Sequence, residues 1–397
     1  MKLYFLEKFH IFDFMINQSM IRNTFFLIFI ISVGNIYCQN NTNTNGASGN
    51  VITTAMPFLT IASDAKAASM ADLGAATKPD PNSAFWNPGK LAFNEERVGI
   101  ATSYTPWLRQ LGINDMWISY VSAYFKPKDK DDEAFGAYLN YFNLGEIQFT
   151  DESGDPAGDA NPREWSAGLT YSKKLSESLG LGLSLKFLRS NLAHGLTSTS
   201  SGDNLKPANT IAADIGMYKK QEVYLGRRIF DMALGASITN LGGKVTYSSA
   251  ENQAFIPTNL RLGTFWQTEI DEFNKIGFGV DFNKLLVPTP DSADASIQDQ
   301  TVLAGVFSSF ADAPGGFSEE LQEVTVSIGA EYWYQDAFAV RAGYFHESAD
   351  KGNRKNFTVG VGLKYQDFGL DVAYLIPTQQ NSPLANTIRF TLAYLLK

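Results

Sequence analysis

Cysteine is nearly absent from this chain: its 397 residues hold one, Cys38, and only three histidines, His10, His194 and His346. A chain processed after Cys38 keeps no thiol for a disulfide, a metal or a nucleophile. Two histidines far apart in sequence do not make a Cys/His metal site. A basic surplus is missing too, with 32 Lys and Arg against 41 Asp and Glu. Nothing is then available to displace phosphate counterions, which excludes a nucleic-acid binder. The main apolar run, TFFLIFIISV from Thr24 to Val33, falls well short of the roughly 20 residues of a transmembrane helix. No Gly-x-Ser-x-Gly elbow, no Gly-x-x-x-x-Gly-Lys phosphate loop and no Gly-x-Gly-x-x-Gly opening a helix occurs. No catalytic residue, cofactor site or metal site is expected, and the protein is not expected to be an enzyme.

The short apolar run has the length of a signal-peptide core and follows Arg22. Residues 1–38 therefore read as a Sec signal cleaved after Cys38, with Met20 an alternative start. Tyr37 stands where a lipoprotein needs a small residue. The polar, Gly-containing stretch that follows reads as a flexible leader over 39–60.

What the chain has in quantity is aromatic and glycine residues, Phe 29, Tyr 17, Trp 6 and Gly 33, with only 18% charged. That balance favours β-structure. From residue 97 a period of two recurs. Leu181, Leu183, Leu185 and Phe187 alternate with Gly182, Ser184 and Lys186, and Ile276, Phe278, Val280 and Phe282 alternate with Gly277, Gly279, Asp281 and Asn283. About fourteen such runs lie at 97–106, 115–126, 134–143, 164–174, 179–190, 208–219, 229–239, 258–269, 274–284, 323–334, 337–347, 355–365, 368–376 and 387–396. Each is near the 9–11 residues of a tilted transmembrane strand. Long and short connections alternate between them, as in a barrel with short periplasmic turns and long outer loops. The expected fold is an all-β transmembrane protein, an antiparallel outer-membrane β-barrel of about fourteen strands over 97–397.

On that fold Ile388, Phe390, Leu392, Tyr394 and Leu396 face lipid. Lys186, Asp214, Asp231, Arg261, Asp281, Arg341, Lys364, Asp371 and Arg389 point into the lumen, where they either pair with one another or line a pathway. The acidic stretches Asp129–Glu133 and Asp151–Asp159 read as solvated turns, because neither has the spacing of a calcium loop. The longest connection, 285–322, carries an apolar cluster, Val302, Leu303, Val306, Phe307 and Phe310. It is too large to stay wet in an idle loop, and so it covers the lumen, packs as a short helix, or meets another protein.

Ahead of the barrel, residues 64–93 read DAKAASMADLGAATKPDPNSAFWNPGKLAF. Ala65, Ala67, Ala68, Ala71 and Ala75 let a short helix approach other backbone closely, and Asp64 is placed to cap it. Asn87 can bond nearby main chain, and Pro88 fixes a turn into a second helical piece. Residues 61–96 are expected to form a helical plug entering from the periplasmic side, with Trp86 against the inner wall and Trp86, Asn87 and Pro88 as its motif.

This block, together with SFADAPGGFSEELQEV in the long loop, resembles the PorV (LptO) family of the Bacteroidetes type IX secretion system, within the FadL-like barrel superfamily. Gly89 departs from the alanine that commonly follows Asn-Pro in FadL-like proteins. The resemblance implies a non-enzymatic outer-membrane subunit surrounded by lipid and LPS. It implies partners as well: the giant translocon barrel, cargo proteins with a conserved C-terminal domain, and the surface signal peptidase and attachment complex. A FadL-type channel for hydrophobic small molecules is the alternative, supported by Gly360 and Gly362, where a strand kink would open a side passage.

Overall fold

The computed structural model describes residues 51–150, 156–192, 206–247, 253–290, 299–379, 382 and 384–396. The expected signal peptide and most of the expected leader lie outside these residues, as do His10, His194 and residues 151–155.

Sixteen strands are present among them. They are β1 (Val98–Pro106), β2 (Trp117–Phe125), β3 (Glu133–Asn143), β4 (Ile147–Thr150), β5 (Pro156–Ala160), β6 (Arg163–Lys174), β7 (Leu179–Asn191), β8 (Ala208–Leu225), β9 (Arg228–Gly242), β10 (Asn259–Glu269), β11 (Asn274–Leu285), β12 (Thr325–Tyr334), β13 (Phe338–His346), β14 (Lys355–Tyr365), β15 (Phe368–Pro377) and β16 (Thr387–Leu396). Fourteen of them form one closed antiparallel barrel in which each strand pairs with its neighbours in sequence, β3 pairs with β6, and β16 closes on β1. Each of the fourteen expected runs coincides with a barrel strand. β4 and β5 form a separate two-stranded hairpin in the connection between β3 and β6, where the sequence shows no strand period.

Burial alternates residue by residue in strands such as β7. In β7, Leu181, Leu183, Leu185 and Phe187 are exposed, while Gly182, Ser184, Lys186 and Leu188 are buried inside. Aromatic pairs sit near both rims: Trp117 stacks on Tyr141 at 5.3 Å and Phe125 on Phe135 at 5.3 Å. Such girdles mark the two membrane interfaces. The even strand count puts β1's start and β16's end together, at Val98↔Leu396. That is the end with the short turns and hence the periplasmic one. No helix among the described residues is long and apolar enough to cross a membrane.

Inside the barrel lies the N-terminal segment. It comprises α1 (Ala65–Ser69), α2 (Ser83–Trp86) and a 3₁₀ turn at Pro88–Phe93. Asp64 caps α1 by accepting from Ala67 N at 2.8 Å, as its position predicts. The path of the chain differs from expectation. Met56, Phe58 and Leu59 are buried among Ile118, Phe142, Leu188 and Ile256 at the outer end of the barrel, and Ala55 N donates to Phe255 O at 2.8 Å. From Ala55 the chain therefore runs from the outer mouth down the lumen and leaves at the periplasmic rim, where Lys126 holds Asn94 O at 3.0 Å. Residues 55–60, expected as leader, are the top of the plug. The short stretch AMPFLT has no period to distinguish it from a linker; packing alone orders it.

Glycines on the inner wall allow this packing. A Cβ at Gly235 would collide with the Ala75 carbonyl, one at Gly182 with the Pro88 backbone, and one at Gly360 with the Ser69 side chain. The expectation of a kink at Gly360 and Gly362 is corrected by this. β14 pairs without interruption to β13 and β15 along its length, and a Cβ at Gly362 would strike Asp371 and Arg341. These glycines make room for the lumen contents and do not open the wall.

Because the obstacle at Gly235 is backbone, which cannot swing aside, Gly235→Leu is expected to cost about 1–3 kcal/mol. Gly369→Ala, whose Cβ would meet only ordinary contacts near 3.7 Å, is expected to be neutral. Urea unfolding of the two variants in detergent, followed by Trp fluorescence, checks both.

Candidate functional site

Two regions concentrate the expected site residues: the plug, and the outer connection between β11 and β12. In the plug, Trp86 is buried. Its Nε1 donates to Asp64 Oδ2 at 2.6 Å, its ring meets Phe85 edge-on at 4.9 Å, and the Arg261 guanidinium lies 4.7 Å above it. Gly74 leaves the ring its space, since a Cβ there would overlap the indole. Asn87 does the bonding its type suggested: Nδ2 donates to Ala75 O and Met217 O, both at 2.8 Å, and Oδ1 accepts from Gly89 N at 3.0 Å. Pro88 faces Gly182 of the wall. The three residues thus join two parts of the plug to each other and to β8.

Wall side chains hold the plug's main chain on every side. Asp281 accepts from Gly74 N at 2.8 Å and Ala75 N at 2.9 Å, Thr391 from Ala65 N at 2.8 Å, Thr358 from Ala71 N at 2.9 Å, and Ser172 from Ala92 N at 3.1 Å. Ser237 donates to Trp86 O at 2.9 Å, Arg261 to Asp72 O at 2.9 Å and Arg389 to Ala62 O at 2.5 Å. Each such bond contributes on the order of 1 kcal/mol, and breaking one strands a buried partner at greater cost. The left-handed backbone at Ala71 and Asp72, with φ of 59° and 66°, survives because it is fixed from both sides.

Most of the remaining inward charges are paired, as in Lys186–Asp214 at 2.6 Å, Arg341–Glu331 at 3.1 Å, Arg341–Asp371 at 2.6 Å and Lys364–Glu96 at 3.6 Å, while Asp231 is exposed at the periplasmic end. Of the nine inward charges expected from sequence, eight line the lumen or its two chambers, and Arg389 reaches the plug. The chambers are a cavity of about 740 Å³ on the periplasmic side and one of about 410 Å³ on the outer side, each bounded by the plug. Apolar and polar groups line both together, the polar ones including Lys66, Asp80, Glu331 and Arg341 in the first and Lys186, Asn240, Arg261 and Asn283 in the second.

The outer connection folds into α3 (Val302–Ser308) and α4 (Phe317–Gln322). Thr301 caps α3 through Ala304 N, and Gly305 sets the helix against Phe255 and Pro288. A buried ionic cluster ties α4 to the barrel. Lys284 of β11 contacts Glu320 at 2.8 Å and Glu323 at 2.5 Å, Lys351 contacts Glu323 at 3.0 Å and Glu319 at 2.6 Å, and Thr289 donates to Glu323 at 2.6 Å. Held this way, the loop turns apolar side chains outward. Leu303, Phe307 and Phe310 are 60%, 75% and 50% exposed, while Val302 and Val306 are half-buried. Phe317 and Leu321, which sequence reasoning did not single out, are 77% and 58% exposed and extend the patch. Their signal was present in FSEELQ, where the acidic residues anchor one helix face and leave Phe317 and Leu321 on the other.

His346 sits at the outer end of β13, 6.3 Å from the Tyr344 ring. Asp129 and Asp131 are exposed in the turn before β3, as expected, whereas Glu133 is buried at the start of β3, where Lys130 and Lys173 pair with it at 3.2 and 3.0 Å. Within the other acidic stretch, Asp159 is exposed in β5.

The sequence profile of one family, described as Type IX secretion system protein PorV, matches residues 43–292, more than half of the chain. The match includes the 64–93 block and stops short of the SFADAPGGFSEELQEV stretch. No relative matches among curated proteins. Among solved structures, the toluene transporter TbuX of Ralstonia pickettii is similar at 12% identity and a TM-score of 0.47, over 84% of this chain and 98% of that one. A Pseudomonas aeruginosa FadL homologue is similar at 12% identity and a TM-score of 0.42, over 88% and 100%.

The ionic anchor of α4 gives a pH dependence. Burial pushes the Glu323 carboxyl upward, but hydrogen bonds from Lys284, Thr289 and Lys351 outweigh it and hold the group below its ordinary value of 4.5. A depressed carboxyl contributes stability that is fully present above the unfolded value and is lost as pH falls through the folded one. A spin label at Ser318→Cys should therefore be immobile at neutral pH and gain mobility only once pH drops below about 4.5. With Glu323→Gln added, the label should be mobile at neutral pH already.

Proposed function

The chain belongs to the PorV family of type IX secretion system proteins, and from that premise we propose that it is the outer-membrane subunit that binds the translocon barrel and carries secreted proteins to the surface attachment complex. Its work is done on its outside surfaces. The observation that carries this reading is the plug: its backbone is bonded to wall residues on five or more strands, so a substrate moving through the lumen would have to break all of these contacts together. We assign the patch of Leu303, Phe307, Phe310, Phe317 and Leu321 to a protein partner at the outer face. An exposed apolar cluster on a loop whose ionic anchor is buried is better suited to receive a partner than to fold back on its own barrel. We further assign Trp86, Asn87 and Pro88 to keeping the barrel shut.

The reading of a channel for hydrophobic small molecules has less support. Each chamber carries several charged side chains, among them Glu331 and Arg341 in the first and Lys186 and Arg261 in the second, whereas a site for such molecules is expected to hold only a few polar groups.

Deleting the gene should abolish surface display of cargo while leaving uptake of fatty acids intact; the reverse result would sink the proposal. Phe307→Ser combined with Phe310→Ser should leave the barrel folded, judged by heat-modifiable migration, and weaken co-purification of a large barrel partner or cargo at least several-fold. If every partner stays bound, the patch is not the contact.

A further inference from the structure

The β8–β9 pair does not stop at the periplasmic rim. β8 was expected to end near Lys219, where it leaves the ladder with β7 at Leu179↔Lys219. It continues to Leu225, turns at Gly226 with φ of 65°, and returns as β9 from Arg228. Residues Lys220–Leu225 thus add roughly 20 Å of ribbon beyond the start of β7, at about 3.3 Å per residue. On one side this ribbon is paired, with Glu222↔Asp231, Tyr224↔Ile229 and Leu225↔Arg228. On the other side the last bond is Lys220 N to Ser178 O at 2.8 Å. Backbone direction repeats every two residues along a strand, so the N–H and C=O of Glu222 and Tyr224 point out of that same edge, where no described residue meets them.

Such an edge is a template for another strand, and proteins usually cover, shorten or bend it. Here it is free of proline, paired to β9 without a register shift, and flanked by exposed apolar side chains, Tyr224 at 69%, Leu225 at 54% and Ile229 at 49%. On its two strands and the turn between them the ribbon carries Lys219, Lys220, Arg227 and Arg228 against two acids, Glu222 and its cross-strand neighbour Asp231. Lys220 lies 5.3 Å over the Phe93 ring and acts electrostatically on Glu95, while Lys219, Arg227 and Arg228 form no ion pair among the described residues. A second copy pairing edge to edge would set these cations against themselves, so self-association is disfavoured. We propose that the periplasmic edge of β8, centred on Glu222 and Tyr224, receives an extended acidic segment of a periplasmic partner as an added strand. Main-chain bonds would supply the register and the cations the preference for acid. The site lies at the opposite end of the barrel from the outer-loop patch, and it stands or falls independently of the secretion reading.

The test uses the full-length protein in detergent and a fluorescent peptide alternating valine with glutamate, with an alternating valine–lysine peptide for comparison. The glutamate peptide should bind and the lysine peptide should not. Tyr224→Pro removes one outward N–H and keeps every charge; it should weaken binding at least tenfold. Arg227→Glu with Arg228→Glu, placed in and beside the turn where the barrel is not affected, should do the same, and covers the case in which the proline variant does not fold. The proposal is overturned if the glutamate peptide fails to bind, if its binding survives Tyr224→Pro in a folded barrel, or if the protein forms a dimer that Tyr224→Pro dissolves.

Discussion

The pairing of β1 with β16 is the constraint from which the rest follows. In hydrocarbon no backbone N–H or C=O can be left without a partner, so a sheet spans a membrane only when its first and last strands meet. Val98↔Leu396 through Tyr104↔Phe390 supply that closure. Closure in turn creates an interior, which needs filling, and it fixes an even number of strands, which puts every long connection at the same end. The plug and the outer loop are consequences of those two facts.

The filling is done by main chain as much as by side chains. Small residues on the plug, such as Ala75, and glycines on the wall, such as Gly235 and Gly182, bring backbone to backbone. At that range the plug's own N–H and C=O groups must find partners in the wall, and Asp281, Thr358, Thr391, Ser237 and Arg389 provide them. Most of the inward charges that a porin would leave to water are here engaged with each other or with the plug. A barrel so occupied has its surfaces free for other proteins: an apolar one outside, held by the Lys284, Lys351 and Glu323 cluster, and a β-edge at the periplasmic end.

Much of this was legible beforehand. The strands were readable because lipid on one side and a packed lumen on the other enforce a period of two, visible in LGLSLKF and IGFGVDFN without knowing any partner. Asp64 as a cap and Asn87 as a backbone binder were readable because their chemistry acts over two or three residues. The glycines of β14 were not, since a glycine in a strand means a bend or a close approach, and only the presence of Ser69 against Gly360 decides which. The β4–β5 hairpin and the buried stretch Ala55–Thr60 were equally hidden, being too short to show a period.

By itself, then, the sequence determined the all-β membrane-spanning class, the strand positions, which face of each strand meets lipid, and the family block at 64–93. These are local properties, set by alternation and by residue type over a few positions. The tertiary structure decided the direction in which the plug threads the lumen, the partners of its buried charges, the outward turn of Phe307, Phe310 and Phe317, and the open edge at Tyr224. All four depend on which distant residues come together once the barrel closes. Alternation along a single strand carries no information about what will stand across the lumen from it.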